Sequence, residues 1–393
     1  MERLTKLFKG DKYVWSILFA LMICSVLAVY SSSDAMAYAR HGGDISFVMV
    51  KHVTVLLMGL LAIYAFHHVP SRYWRAGSLF LMVFSVPLLI ITLFMGTSIN
   101  DASRWLTLPG INFSFQSSDF AKIVLLMYVA RELSARREYI RDWKTGFLPI
   151  MIPVAVVAAL IFPANLSTAF ILGFNCLILL FIGAAKFRHI LIVILLGVTL
   201  FGGFVGTALL LEKANIEIPA VTGRVHTWLN RLGVGDAEYD SRGSDYQREQ
   251  ALIAIASSEL IGKGPGNSVQ RALLPQSYND FIFAIIVEEY GLAGALVLMV
   301  LYWGLLARAV VMVRASERTF QAFLALAMTL NVVSTAMFNM MVAVGLGPVT
   351  GQTLPLVSWG GSSLVFTCVS MGILLSVSRE SEKKAQLAAE HHE

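Results

Sequence analysis

Charged residues are scarce in this chain. Asp, Glu, Lys and Arg together make up 14% of its 393 residues, against about 25% in soluble domains. Hydrophobic residues make up 57% of the chain, and the mean hydropathy is +0.70. This composition excludes a soluble globular protein. The net charge of +5 does not indicate nucleic-acid binding, because the basic residues lie mostly in short loops between apolar stretches.

Cysteine is also rare in this chain, and the sequence motifs of common cofactor sites do not occur in it. The three cysteines, Cys24, Cys176 and Cys368, lie in apolar stretches, where a small buried hydrophobic residue is the expected role. The sequence contains no Walker A motif, dinucleotide fingerprint, HExxH motif or Cys/His cluster. We therefore predict no cofactor and no protein-ligated metal. A transferase built on this chain would need a donor that is already activated, and the membrane is the natural source.

Ten apolar stretches have about the 20-residue length that one membrane-spanning helix requires. They are residues 13–32, 46–66, 77–96, 117–133, 147–162, 169–185, 189–210, 286–307, 320–343 and 358–378. The predicted fold is therefore an all-α polytopic membrane protein with ten transmembrane helices in a single domain, residues 1–393. Residues 281–287 are also apolar, and two interpretations stay open: part of the eighth span, or a short helix ahead of it.

Lys and Arg in the connecting loops predict the orientation. The short loops on one side contain only Arg40 and Arg104, whereas the loops on the other side are rich in both residue types. Because positive charge collects on the cytoplasmic side, both termini are predicted to be cytoplasmic. Residues 379–393 form a solvated cytoplasmic tail in this interpretation. Residues 211–280 form a large outer loop between spans seven and eight, and helical spacing of apolar residues within 250–262 predicts a helix on the membrane surface.

Ionisable residues inside spans suggest function, because they are costly in a bilayer. Lys122 lies in the fourth span behind Gln116 and Asp119, and Asp119 and Lys122 are three residues apart on one helical face. This pair could orient the helix, or Lys122 could bind a phosphate or pyrophosphate. Arg104, on the same side of the membrane, favours the binding role. Asn339, in the ninth span, is interpreted as a hydrogen-bonding residue of the bundle.

Residues 345–363 form an uncharged outer segment rich in Gly, Pro and hydroxyl groups. Such backbone at membrane depth is tolerated where it lines a cavity or packs within protein. The segment could be a re-entrant connector with tight helix packing at Gly360 and Gly361. It could also bind a polar head group through its backbone and hydroxyl groups, and we expect both roles to contribute.

Three acidic residues, Asp280, Glu288 and Glu289, lie within residues 262–291, a glycine-rich and then strongly apolar segment. A carboxylate in apolar surroundings at the outer surface could act as a general base toward a sugar hydroxyl. Basic residues could then stabilise a departing pyrophosphate. An equally open interpretation makes Asp280 the N-cap of the following helix, since Asp is a favoured cap.

Several long strings give the chain a family resemblance. It resembles the SEDS family (shape, elongation, division and sporulation), the FtsW/RodA/SpoVE group, across all ten spans. The strings are GKGPGNSVQRALLPQSYNDFIFAIIVEEYGLAGA at 262–295, GLGPVTGQTLPLVSWGGSS at 345–363, ASRWL at 102–106, FQSSDFAKI at 115–123 and DYQREQALIAIASS at 245–258. GNSVQ at 266–270 and TLPL at 353–356 are more similar to the division branch than to the elongation branch.

The resemblance implies a peptidoglycan glycosyltransferase that polymerises lipid II with inversion on the outer face of the bacterial inner membrane, at the division septum. It implies Asp280 as the catalytic general base and contacts from Arg104 and Lys122 to the donor phosphates. The full set of residues expected to bind substrate is Arg104, Lys122, Asp119, Gln116, Ser358, Gly360, Gly361 and Ser362. The implied partners are a class B penicillin-binding protein and other division proteins.

Two departures from the family pattern accompany this resemblance. Gln116-Ser117-Ser118-Asp119 stands where the family reads Gln-Pro-Ser-Glu, and Ala164 follows Pro163 where the family has an acid. Neither affects Asp280. Three alternatives stay open: a lipid II flippase, an elongation polymerase, and a non-catalytic scaffold that recruits the penicillin-binding protein.

Overall fold

Helices make up most of the structure, a computed structural model that describes residues 9–33, 44–99, 102–108, 113–213, 225, 228, 243–274 and 277–390. The helices are α1 Lys12–Ser32, α2 Ile45–His67, α3 Ser71–Met95, α4 Ser117–Ala135, α5 Leu148–Ile161, α6 Leu166–Ile182, α7 Phe187–Lys213, α8 Ser244–Ala256, α9 Gln270–Leu273, α10 Ile282–Ala315, α11 Thr319–Ala343 and α12 Ser362–Glu390. A π-helical turn, Trp143–Phe147, leads directly into α5.

Each of the ten predicted spans falls on one of these helices. Eight helices are long and apolar enough to cross a membrane, namely α1, α2, α3, α5 with its π-helical turn, α7, α10, α11 and α12. Helix α6 is apolar but shorter, and α4 carries Asp119 and Lys122 in its first turns. The prediction of a helical polytopic membrane protein is confirmed.

The bundle has a buried centre and an exposed periphery. Helices α4 and α11 are buried along most of their length, whereas α7 presents nearly all of its apolar surface outward. At the periphery, Trp228 of the large loop packs its ring 4.9 Å from Phe162, at the end of α5. Exposed apolar helix faces are expected where lipid replaces water. The polar residues of α4 and α11 are therefore enclosed by protein, away from the lipid-facing helices.

A small antiparallel sheet, which the sequence analysis did not predict, connects α3 to α4. Its strands are β1 Thr97–Ile99, β2 Ala102–Leu108 and β3 Phe113–Gln116, in the order β1-β2-β3. The pairing of β2 with β3 sets Trp105 opposite Gln116. Helix α4 begins at the next residue, so the sheet fixes where that helix starts.

Helix α10 is broken at Gly291, where φ is +67° and the backbone leaves the helical region. The buried turns before the break, Ile282–Glu289, form a short helix ahead of the membrane-spanning part. This confirms the interpretation of residues 281–287 as a separate short helix. Gly262, with φ at +82°, crosses the break so closely that a Cβ on it would lie 2.4 Å from the Glu289 carbonyl oxygen. Only glycine fits both positions.

Helix α12 continues beyond the predicted end of the last span, as far as Glu390. The Glu380 carboxylate accepts hydrogen bonds from the backbone N–H and the hydroxyl of Ser71, each at 2.6 Å. Arg379 donates to the His68 carbonyl oxygen at 2.7 Å. The prediction of a solvated tail from residue 379 onward is therefore wrong for its first residues, which fasten α12 to the start of α3.

Candidate active site

Asp280 lies in the turn that precedes α10, and its backbone is held by α11. The side-chain amide of Asn339 donates to the Asp280 carbonyl oxygen at 2.8 Å and to the Gln352 carbonyl oxygen at 2.7 Å. The Gln352 side chain in turn donates to the Thr168 hydroxyl at 2.9 Å. The carboxylate lies beside Gly351, since a Cβ on that glycine would be 3.6 Å from Asp280 Oδ2. Asp280 is thus fixed between the helix bundle and the loop that follows α11.

The two residues before Asp280 are held in the same way. The Ser358 hydroxyl donates to the Asn279 carbonyl oxygen at 2.6 Å, and the backbone N–H of Trp359 donates to the Tyr278 carbonyl oxygen at 3.0 Å. Ser358 also accepts a hydrogen bond from Leu354 N–H at 2.8 Å and is only 2% exposed. Its hydroxyl therefore supports the Asp280 turn, and its predicted contact with substrate stays a prediction.

The loop between α11 and α12, residues 344–361, is itself anchored to distant helices. The Ser25 hydroxyl donates to the Val357 carbonyl oxygen at 2.8 Å and bonds the His52 ring at 2.9 Å. The Tyr302 hydroxyl donates to the Pro355 carbonyl oxygen at 2.5 Å. Since these partners lie on α1, α2 and α10, the loop is a rigid element that can position what it touches.

The predicted cationic group lies at the start of α4. Lys122 and Asp119 form an ion pair at 2.8 Å with both side chains almost fully enclosed, at 11% and 5% exposure. The negative charge of Asp119 in the first turn is also favoured by the helix dipole. Gln116 donates from its side chain to Ser118 at 2.9 Å and from its backbone to the Ser362 hydroxyl at 3.3 Å. Gln116 thereby connects α4 to the start of α12.

Two of the predicted glycines lie between the Asp280 turn and Ser362. Gly361 has φ at +46°, and no heavy atom lies within 4 Å of the Cβ position, so the space in front of it is open. At Gly360 the Cβ position is 3.5 Å from Leu364 N, an ordinary contact. Gly361 is exposed, and the predicted contacts of both glycines with substrate stay predictions.

Arg104 lies in β2, and its side chain is outside the described part of the structure. The strand register places its neighbour Trp105 opposite Gln116, the last residue before α4. The backbone of Arg104 is therefore near the end of α4 that carries Asp119 and Lys122. Its predicted contact with donor phosphates stays a prediction.

The N-cap interpretation of Asp280 is wrong. The N-cap residue of α10 is Phe281, and no side chain accepts a hydrogen bond there. The described contacts of the Asp280 backbone fix the turn without using the carboxylate as a cap.

Glu288 and Glu289 have a different environment from Asp280. The Glu288 carboxylate is fully buried and accepts hydrogen bonds from Lys263 Nζ at 2.6 Å, from the Ser268 hydroxyl, and from the N–H groups of Val269 and Gln270 at 3.2 and 3.3 Å. Glu289 accepts a hydrogen bond from the Ser31 hydroxyl. Both acids therefore attach the 262–274 segment and α1 to the short helix before Gly291.

No group of three or more His, Cys, Asp or Glu side chains with the arrangement of a metal site occurs among the described residues. The described site consists of the Asp280 carboxylate, the buried ion pair of Asp119 with Lys122, and a set of backbone and hydroxyl groups. Such a set can accept a proton at one point and stabilise negative charge at another. The prediction that Asn339 is a hydrogen-bonding residue of the bundle is confirmed, and the structure adds that its partners are the carbonyl oxygens of Asp280 and Gln352.

Fold and site together define a polytopic membrane protein with a carboxylate and a buried ion pair at one end of its helix bundle. A family model described as cell cycle protein, FtsW/RodA/SpoVE, matches residues 11–383. The chain belongs to this family.

Relatives with known names are similar over almost the whole length. A probable peptidoglycan glycosyltransferase FtsW of Halomonas elongata is 31% identical, with 96% of this chain and 93% of that protein covered. The stage V sporulation protein E of Bacillus subtilis is 30% identical, with 96% and 99% covered.

Solved structures agree with the fold. One chain of a peptidoglycan synthase complex, described as coordinating polymerization and crosslinking, has a TM-score of 0.72 at 25% identity, with 95% of this chain and 98% of that chain covered. The rod shape determining protein RodA of Thermus thermophilus has a TM-score of 0.66 at 23% identity, with 95% and 97% covered. The RodA likeness concerns the fold alone.

Proposed function

We propose that this chain is a peptidoglycan glycosyltransferase that polymerises lipid II into glycan strands during cell division. The observation that carries the proposal is that the two parts of the candidate site share an anchor. The turn with Asp280 and the residues at the start of α4 are both fastened to the loop and helix start at residues 344–363. The division role is supported by the relative named FtsW.

In the proposed reaction, the carboxylate of Asp280 accepts the proton of the acceptor sugar hydroxyl. The acceptor oxygen forms a bond to the anomeric carbon of the donor while the bond from that carbon to the lipid pyrophosphate breaks, which inverts the configuration. The bonding electron pair leaves with the pyrophosphate, and Lys122 and Arg104 stabilise the negative charge that develops there. Asp119 orients Lys122 through the ion pair.

The proposed setting is the outer face of the bacterial inner membrane at the division septum. In this proposal, ten membrane-spanning helices with both termini in the cytoplasm would put the Asp280 turn and the start of α4 on the outer side. The distribution of Lys and Arg in the short loops supports this orientation. A donor anchored in the membrane by a lipid can reach a site at that depth without a nucleotide.

The proposed partner is a class B penicillin-binding protein, which would cross-link the strands that this chain makes. Support comes from the similar chain in a peptidoglycan synthase complex that joins polymerization to crosslinking. Other division proteins would regulate the pair.

Reconstitution of the full chain with its partner and lipid II tests the function. We expect the wild type to form glycan polymer, and Asp280→Asn to lower the rate by at least about 100-fold, because a general base contributes about 10²–10⁴-fold. The variant should stay monodisperse and bind the partner, since the described hydrogen bond from Asn339 to Asp280 uses its backbone. Polymer formed by the variant at the wild-type rate would reject Asp280 as the base.

The flippase alternative predicts a different result in the same liposomes. Lipid II would cross the bilayer with this chain alone, and Lys122→Ala would abolish the crossing. Polymer formation without any crossing favours the polymerase.

A further inference from the structure

Three successive backbone carbonyl groups of the Asp280 turn accept hydrogen bonds, and among the described bonds the third comes from within a bundle helix. The Tyr278 and Asn279 carbonyl oxygens are bonded by residues 359 and 358 of the loop. The Asp280 carbonyl oxygen is bonded by Asn339, which lies in α11. Asn339 therefore links the position of the turn to the buried centre of the bundle.

The side-chain amide of Asn339 makes two hydrogen bonds at this point. Both described hydrogen bonds of the Asn339 Nδ2 group go to carbonyl oxygens, those of Asp280 and Gln352. Its Oδ1 atom is buried and accepts no hydrogen bond within the described residues. The opposite orientation of the amide would set Oδ1 against two carbonyl oxygens, which repel it. The two donated hydrogen bonds fix the orientation of the amide, although its buried Oδ1 has no hydrogen bond among the described residues.

The surroundings of Asn339 keep its side chain in a fixed position, from which it can support the Asp280 turn. The residue is 2% exposed and lies near the end of a helix that is buried along most of its length. The second carbonyl that it holds belongs to Gln352, whose side chain reaches Thr168 on α6. A shift of the Asp280 turn would therefore break bonds to α11 and, through the loop, to α6.

We infer that Asn339 is a positioning residue for the reaction: its side-chain amide fixes the backbone of Asp280 and residue 352 of the loop so that the Asp280 carboxylate meets the acceptor hydroxyl. The inference rests on the proposed function and adds a residue that acts through Asp280 without touching substrate. A displacement of the order of 1 Å at a reacting group can cost about 100-fold in rate.

The test uses two pairs of variants of the full chain in the reconstituted assay with lipid II. Asn339→Leu removes both donors at nearly constant volume, and Asn339→Asp removes them at constant shape. Asn331→Leu and Asn331→Asp are the matched controls. Asn331 lies two turns earlier on α11, is also buried, and its Oδ1 has no partner among the described residues.

We expect kcat of the Asn339 variants, measured per monodisperse protein, to fall by at least about tenfold, with KM for lipid II within twofold of the wild type. The Asn331 variants should keep the wild-type kcat. This split separates positioning from stability, because a purely structural role lowers the amount of folded protein and leaves the kcat of each folded molecule unchanged.

Wild-type kcat in either folded Asn339 variant overturns the inference, as does an equal loss in the Asn331 controls. Failure of both Asn339 variants to fold, while both controls fold, also overturns it in favour of a structural role. If the wild type itself forms no polymer, the proposed function fails. If the wild type is active and Asn339→Leu matches it, only the positioning role fails.

Discussion

Asp280 and Glu288 are eight residues apart in one segment, and their described hydrogen bonds reach different parts of the two residues. The backbone carbonyl of Asp280 accepts the hydrogen bond from Asn339, and its carboxylate lies beside Gly351. At Glu288 the carboxylate itself accepts the bonds, from a lysine, a serine and two backbone N–H groups. The four hydrogen bonds to the Glu288 carboxylate make it a structural element, whereas the described hydrogen bond to the Asp280 carbonyl oxygen fixes the backbone that carries the proposed general base.

The largest effect that sharpens this comparison is expected at Glu288. Glu288→Gln turns two acceptor oxygens into one and places an NH₂ group against donors in a fully buried site. Since each unsatisfied buried donor costs about 1–3 kcal/mol, we expect a clear fall in the thermal unfolding midpoint in detergent. Activity per folded protein should stay at the wild-type level.

Asp280→Asn is the comparison variant, and its activity per folded protein should be lower than that of the wild type by at least about 100-fold. If Glu288→Gln kept the unfolding midpoint of the wild type but lost activity per folded protein, Glu288 would have a role in the reaction. The contrast between Asp280 and Glu288 would then fail.

The next effect is expected at Lys122, whose role the ion pair with Asp119 leaves open between chemistry and structure. Lys122→Met should lower kcat/KM for the lipid-pyrophosphate donor by about tenfold or more, because a cation near the leaving group stabilises the charge that develops there. The measurement is the polymerisation rate at varied lipid II concentration.

The Asp119→Asn/Lys122→Met double variant is the control, since it removes both charges and leaves none buried without a partner. It should recover stability without recovering donor use. Recovery of full activity in the double variant would make Lys122 a structural partner of Asp119 only.

The smallest effect is expected at Lys263, the cation that pairs with Glu288. Its side chain is 31% exposed, so solvent screens the pair. Lys263→Met should cost about 1 kcal/mol of stability, less than Glu288→Gln, because Ser268 and the two backbone N–H groups still hold the carboxylate. Thermal unfolding of the two variants, measured side by side, shows which substitution costs more stability. A larger loss in Lys263→Met than in Glu288→Gln would mean that the cation is the main support of Glu288.

The helices were predictable from sequence because a membrane span needs a long apolar stretch, and every such stretch became a helix. The short helix before Gly291 was readable as an apolar run too short to span. Strand β2 was not predicted, because seven residues between two spans carry little periodic signal and their pairing depends on β3, which follows β2 in sequence.

The site was only partly predictable for a similar reason. Asp280, Asp119 and Lys122 are ionisable residues in apolar surroundings, so residue type alone singles them out. Asn339 bonds a carbonyl 59 residues away in the sequence, and no local pattern records such a contact. The resemblance to a family pointed to the groups proposed to carry the chemistry, and the structure added Asn339, which bonds the backbone of one of them.

The crossing of Gly262 and Gly291 has a consequence for how this part of the chain can vary. Backbone hydrogen bonds join the two chain segments at the crossing, as when Lys263 N–H bonds the Glu288 carbonyl oxygen and Ala293 N–H bonds the Leu260 carbonyl oxygen. The side chain of Leu260 is largely exposed and takes no part in these bonds. The crossing requires glycine at positions 262 and 291. An exposed neighbour such as Leu260 can be replaced by another residue without disturbing the crossing.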